Sequence, residues 1–411
     1  MTAGMSQARK RRGLLCMLAA VSVWSVGIAG MAPAAVAADV QSKQWYLDAM
    51  RAKDMWKITT GEGIKVAVID SGVNPSAPSL KGQVLKGLDT TEAEGDETDD
   101  YRGHGTTMAE LIAGTGKGGG LRGLAPGVKV IPFRISDTEF QNGRRVNGQD
   151  APDAIRAAAD SDAQIISMSF GSDYSSLAER QAVEYAESKG KLFFAAAGNN
   201  AKEGNKAHYP AAYPDVVGVA AADREGQVAE YSQHGDNVDI ASPGNDIPGW
   251  CDEKFQRYCD GDGGTSSATA IASASAALVW SMHRDWTANQ VLRALIDTAG
   301  RDWKKGTRSN YLGHGLIRPR QIILDGKGDP GAADVNPLTN EKASGAANPP
   351  APSAPASSQA PKGNSGDQAA VASSSKNADD DSQLGLILGA AAAVVVLAAG
   401  AFAVIRRRRS A

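Results

Sequence analysis

The stretch from residue 264 to 283, G-T-S-S-A-T-A-I-A-S-A-S-A-A-L-V-W-S-M-H, sets the strongest limit on the fold. Almost every position is apolar or small. As a helix it has no polar stripe and has to be covered on most of its sides. A Gly-Thr turn leads into it, and the helix is expected to open at Ser266. Serine at a helix opening is the usual N-cap. It can equally be a nucleophile, because the free N–H groups of a first turn favour negative charge beside them.

The rest of the chain supplies the cover. Residues 64–69, I-K-V-A-V-I, and Val128 to Ile135 read as buried strands, rich in β-branched residues. A-Q-I-I-S-M-S-F-G gives a strand finishing at Ser169, Phe170 and Gly171, and K-L-F-F-A-A-A-G-N-N one finishing at Gly198 and Asn199. Val216 to Ala221 continues the series, and helices are expected at 151–159, 177–189 and 287–298. Strands separated by helices imply an α/β fold, a parallel sheet with helices on both faces.

In such sheets functional groups gather at the C-terminal ends of the strands. Asp70 stands at one of these ends, although with Ser71 and Gly72 it could also simply cap a turn. His104 lies between two glycines just before a helix-like stretch, and flanking glycine permits another backbone to come close. Taken alone it reads equally well as a surface histidine. With Ser266 these residues make the chain order Asp, His, Ser of one type of hydrolytic triad. A hydroxyl is a weak nucleophile near neutral pH, so the chemistry needs an imidazole to take its proton and a carboxylate to orient that imidazole. Asn199 adds a side-chain amide for an oxyanion, beside the Ser266 backbone N–H.

Other classes are disfavoured. The formal net charge of −3 leaves no basic excess for nucleic acid. Gly118 stands where a phosphate loop needs Ser or Thr after Lys117. Residues 92–100 are acidic and read as a solvated loop, with a structural calcium ion as the alternative; no cofactor is required. Two cysteines without suitably spaced histidines disfavour zinc.

Both ends carry topological signals. Arg9 to Arg12, an apolar stretch and A-P-A-A-V-A-A-D form a signal peptide over 1–38. Residues 384–405 are uncharged and long enough to span a bilayer, with Asp379, Asp380 and Asp381 before them and Arg406 to Arg409 after. Positive charge stays inside, which makes a type I membrane protein with its folded part outside. Once the signal peptide is gone, Cys251 and Cys259 are the only cysteines left, and export makes a disulfide between them the expectation. Residues 39–57 are expected to pack on the domain's surface through Trp45, Leu47, Met50, Met55 and Trp56. Residues 326–383, dominated by Pro, Ala, Ser, Gly and Asn, form a disordered linker, and 406–411 a cytoplasmic tail.

V-A-V-I-D-S-G-V, G-H-G-T, S-M-S-F-G, A-A-A-G-N and G-T-S-x-A-T resemble the signature blocks of the subtilisin-like serine proteases. The resemblance covers about 58–325 and implies a peptidase domain acting on polypeptides. It also implies that Ser169, Phe170 and Gly171 form an edge strand that pairs with substrate, with Ala197 and Gly198 completing the binding segment. The layout of leader, short extension, single domain, linker and anchor resembles the mycosins, membrane-anchored subtilases associated with type VII secretion. A structural clamp in a secretion complex is the alternative role. Three positions depart from the family pattern: Ala270 for proline, Glu110 for glycine, and Ser172 for a small residue after S-F-G.

Overall fold

The computed structural model describes residues 40–135, 149–251, 254–261 and 263–342. The expected leader, the expected anchor at 384–405, the expected tail and most of the expected linker lie outside the described residues.

The five expected apolar runs become β1 (Lys65–Asp70), β3 (Lys129–Arg134), β4 (Ile165–Met168), β5 (Leu192–Ala196) and β6 (Val217–Ala222), and two short strands that were not expected, β2 (Leu88–Asp89) and β7 (Ile240–Pro243), join them. They form one seven-stranded sheet in the order β2-β3-β1-β4-β5-β6-β7, and every pairing is parallel. The helices are α1 (Trp45–Ala49), α2 (Ala52–Met55), α3 (His104–Ala113), α4 (Asp150–Asp160), α5 (Leu177–Ser188), α6 (Thr265–Met282), α7 (Ala288–Thr298) and α8 (Pro319–Ile323).

Side chains alternate across a strand, so each strand feeds two cores. Val66, Val68 and Val130 join α3 and α6 on one face. Ala67, Ile69, Ile131 and Phe133 join α4 and α5 on the other. That double burial is why these strands read as continuous apolar runs.

Helix α6 lies under the sheet with every residue from Ser267 to Trp280 buried. Two of its buried hydroxyls bond back within the helix: Thr269 donates to the Thr265 carbonyl and Ser275 to that of Ile271, both at 2.8 Å. The helix opens one residue earlier than expected, at Thr265. The cap is Gly264, with no side-chain capping bond, so Ser266 sits inside the first turn and is no N-cap.

The N-terminal segment goes deeper than surface packing. Tyr46, Met50, Ala52 and Met55 belong to the main core. Gln44 exchanges two bonds with the backbone of Arg122, at 2.8 and 2.9 Å, as a paired strand would. At the other end, packing continues past residue 325, the expected start of the linker. Asn336 is buried and bonds Asp215 at 3.1 Å, and Arg293 donates to the Val335 carbonyl at 3.0 Å. Such anchoring depends on partners far away in sequence and leaves no mark on composition. The acidic loop closes around the buried Arg134, which donates to Asp89 at 3.0 Å and to the carbonyls of Glu94 and Asp96 at 3.0 and 3.1 Å. No described helix is long and apolar enough to cross a membrane.

Because Met55 is fully buried, Met55→Ala is expected to destabilise the domain by about 2–4 kcal/mol. Urea denaturation measures this; a loss below about 0.5 kcal/mol would mean the segment only lies on the surface.

Candidate active site

β1 lies between β3 and β4 and delivers Asp70 to its C-terminal end. His104 is the first residue of α3, and the preceding Gly103 has φ 79°, the left-handed region that glycine enters freely. Gly105 is needed for a different reason. A Cβ there would lie 2.1 Å from the Gly72 carbonyl oxygen and 3.0 Å from the Asp70 Cβ. Its absence lets α3 start against the end of β1, and His104 Nδ1 meets Asp70 Oδ1 at 2.7 Å. Asp70 is 1% exposed, whereas the imidazole keeps 23% of its surface. The same carboxylate oxygen accepts the Ser71 N–H at 2.7 Å. With Nδ1–H given to Asp70, the lone pair of the ring is on Nε2.

Ser266 Oγ donates to the Ser169 carbonyl at 3.3 Å, across from the end of β4. Asn199, three residues beyond β5, accepts the Thr265 N–H and the Thr265 hydroxyl through Oδ1, both at 2.9 Å. Holding the oxygen in this way fixes the amide and leaves its N–H₂ as the free end. Gly264 makes room there, since a Cβ on it would sit 3.3 Å from Asn199 Nδ2. Thus Asp70 and His104 form one bonded pair, and Ser266, Thr265, Asn199 and Ser169 a second group. α3, which begins with His104, packs against α6, whose first turn carries Thr265 and Ser266.

The segment 169–171 is not an edge strand. β4 is interior, paired to β1 and β5, and it ends at Met168, so residues 169–171 leave the ladder. Ser172 then pairs with Tyr209, N–H to O at 2.8 Å in each direction. Between this segment and Ala197–Gly198 lies the ring of His208: a Cβ on Gly171 would be 2.3 Å from it, and one on Gly198 3.1 Å. Burial pushes the His208 pKa down, so the ring there favours its neutral form. Nothing in the sequence marked His208, and Thr265 was visible only as part of the Gly-Thr turn before Ser266.

Glu110 is fully buried on α3 and accepts hydrogen bonds from Ser79 and from Tyr258, the latter at 2.9 and 3.0 Å. Tyr258 belongs to a small antiparallel hairpin of β8 (Gly249–Trp250) and β9 (Tyr258–Cys259), closed by a disulfide between Cys251 and Cys259. The Trp250 ring stacks on Tyr258 and the Trp250 backbone N–H donates to the Thr107 hydroxyl at 2.9 Å, so the hairpin rests on the helix that begins with His104. A glycine at position 110 could not make these bonds. Among the described residues no group of three or more His, Cys, Asp or Glu is placed to hold a metal ion.

Burial raises the Glu110 pKa to about 7. A carboxyl whose folded pKa is raised keeps its proton more readily when folded. Its contribution is therefore full below about pH 4.5 and is lost as pH rises through about 7, a change on the order of 3 kcal/mol. Glu110→Gln is expected to gain stability over wild type between pH 5 and 8. Melting curves of the two proteins across that range test this; a constant difference would contradict it.

A profile described as the subtilase family matches residues 61–315. A thermophilic serine proteinase of Bacillus sp. (strain AK1) is 35% identical over 258 residues, which are 62% of this chain and 61% of that protein. Thermitase of Thermoactinomyces vulgaris is 32% identical over 279 residues, 66% of this chain and 95% of thermitase. Among solved structures, the MycP3 protease from the type VII (ESX-3) secretion system is similar, with a TM-score of 0.58 and 30% identity over 68% of this chain and 88% of that one.

Proposed function

The chain belongs to the subtilase family, and on that footing we propose that it is a serine endopeptidase in which Ser266 is the nucleophile, His104 the general base and acid, and Asp70 the group that orients the imidazole. The observation that carries this reading is the 2.7 Å bond between a buried carboxylate and a half-open imidazole. Asp70 fixes the tautomer, and Nε2 takes the proton of Ser266 as its oxygen attacks the peptide carbonyl. The hydroxyl leaves the Ser169 carbonyl for this step. Asn199 Nδ2 and the Ser266 N–H receive the charge that develops on the carbonyl oxygen. His104 then protonates the leaving amine, and water repeats the sequence on the acyl-enzyme.

Substrate is held along Ser169, Phe170 and Gly171 on one side and Ala197 and Gly198 on the other. Past the end of β4, the backbone of 169–171 has left the sheet ladder, which suits it to pairing with an extended polypeptide. The domain works outside the cell, tethered by the helix at 384–405 after loss of the leader. Its polypeptide substrates include those of a type VII secretion system. The likeness to a protease from such a system supports this assignment.

Purified ectodomain is expected to react with a fluorophosphonate probe at Ser266, found by mass spectrometry of the labelled peptide. Ser266→Ala and His104→Ala should lose labelling and proteolysis together; proteolysis surviving in Ser266→Ala would defeat the assignment. Asn199→Ala should keep KM within a few-fold and lower kcat by about 10²–10³. An unchanged kcat would remove Asn199 from the oxyanion site.

A further inference from the structure

Asp70 and His104 belong to different elements, and their contact depends on how β1 meets the start of α3. One further side chain bonds the residues next to both, Ser71 and Gly103. Asp100, 5% exposed, accepts five hydrogen bonds. Its Oδ1 takes the N–H groups of Arg102 and Gly103, at 3.2 and 2.8 Å, and the Ser71 hydroxyl at 3.0 Å. Its Oδ2 takes the Thr106 N–H at 2.8 Å and the Thr106 hydroxyl at 2.7 Å. Every group that meets it is a donor, the pattern that favours an ionised carboxylate, while burial pushes its pKa up.

Ser71 is the other half of the link. Its hydroxyl accepts the Gly105 N–H at 3.0 Å and lies 3.1 Å from Asp70 Oδ1 and 3.0 Å from Asp100 Oδ1. A hydroxyl has one proton to give. Asp70 Oδ1 already accepts His104 Nδ1 and the Ser71 N–H, both at 2.7 Å. Asp100, by taking the Ser71 proton, leaves Asp70 directed at the imidazole.

We propose that Asp100 is a positioning residue for the peptidase reaction: it ties the first turn of α3 to the Asp70–Ser71 corner, and its charge favours the imidazolium formed during catalysis. This rests on the assignment of Asp70, His104 and Ser266 made above. The ionisable groups nearest this corner in the chain are Asp70 at the end of β1, His104 at the start of α3, and Asp99 and Arg102 beside Asp100 in its own loop; Lys65 lies at the far end of β1 and Glu110 two turns along α3. From the β8–β9 hairpin, Trp250 and Phe255 meet Gly103, and neither carries a charge. Asp70 and Asp100 are therefore the carboxylates joined through Ser71, and removing the anion that is bonded to the residue before His104 has a defined sign for the imidazole.

The test is the pH dependence of kcat/KM in Asp100→Asn, with fluorophosphonate labelling of Ser266 as a parallel readout. The expected result is a kcat about tenfold lower, KM little changed, and an acid limb moved down by about 0.5–1 pH unit. Ser71→Ala keeps the bonds of Asp100 to residues 102–106 but cuts the link to Asp70. It should also lower kcat, with a melting temperature near wild type, and the two substitutions should be non-additive. An acid limb that stays in place in Asp100→Asn, or a wild-type kcat in Ser71→Ala, would overturn the proposal while wild-type labelling keeps the triad assignment. Failure of the wild type itself to label would remove both. If Asp100→Asn does not fold, Ser71→Ala alone decides.

Discussion

The structure depends on one close approach: the start of α3 set against the end of β1. Peptide backbones seldom come so near, and here it is possible because residue 105 has no side chain to collide with Gly72 and Asp70. The consequence is a short carboxylate–imidazole bond at the edge of a dry interior. Burial strengthens such a bond, since the surroundings screen it weakly, and it would penalise either partner left alone. The sheet and α6 then have the simpler task of holding a rigid floor beneath it.

That floor is built by consistency between levels. Strands buried on both faces give their loops at the C-terminal ends little freedom, and three of those ends, after β1, β4 and β5, supply Asp70, Ser169 and Asn199. α6 brings Ser266 to the same place because its apolar length has nowhere to go but under the sheet. The Asn199 carbonyl oxygen accepts both Thr265 bonds, which fixes its amide in advance of the oxyanion role proposed for it. Preorganised donors of this kind need no rearrangement at the moment of reaction.

Features set by local pattern were legible in the amino-acid sequence. A β-branched run ending in Asp70, an apolar run ending in Gly198 and Asn199, and glycines around His104 announce themselves within a few residues. Features set by distant partners were not. β7 is short and ends in proline, so its apolar run is too brief to stand out. Glu110 was visible as a departure from the family pattern, but its partner Tyr258 is 148 residues away. Tyr46 passed for part of an amphipathic lead-in, yet it is among the most buried side chains of the protein. The start of α6 was misplaced by one residue, because the Gly264–Thr265 turn is stabilised by Asn199 and not by a serine cap.

The most direct test of the account is a crystal structure of the ectodomain after reaction with a peptidyl phosphonate. The account predicts a bond from Ser266 Oγ to phosphorus and a phosphonyl oxygen within about 3 Å of Asn199 Nδ2. It also predicts His104 Nε2 beside Oγ, and the peptide running along residues 169–171. An adduct on another residue, or one on Ser266 with the imidazole of His104 turned away from both Ser266 and Asp70, would contradict it.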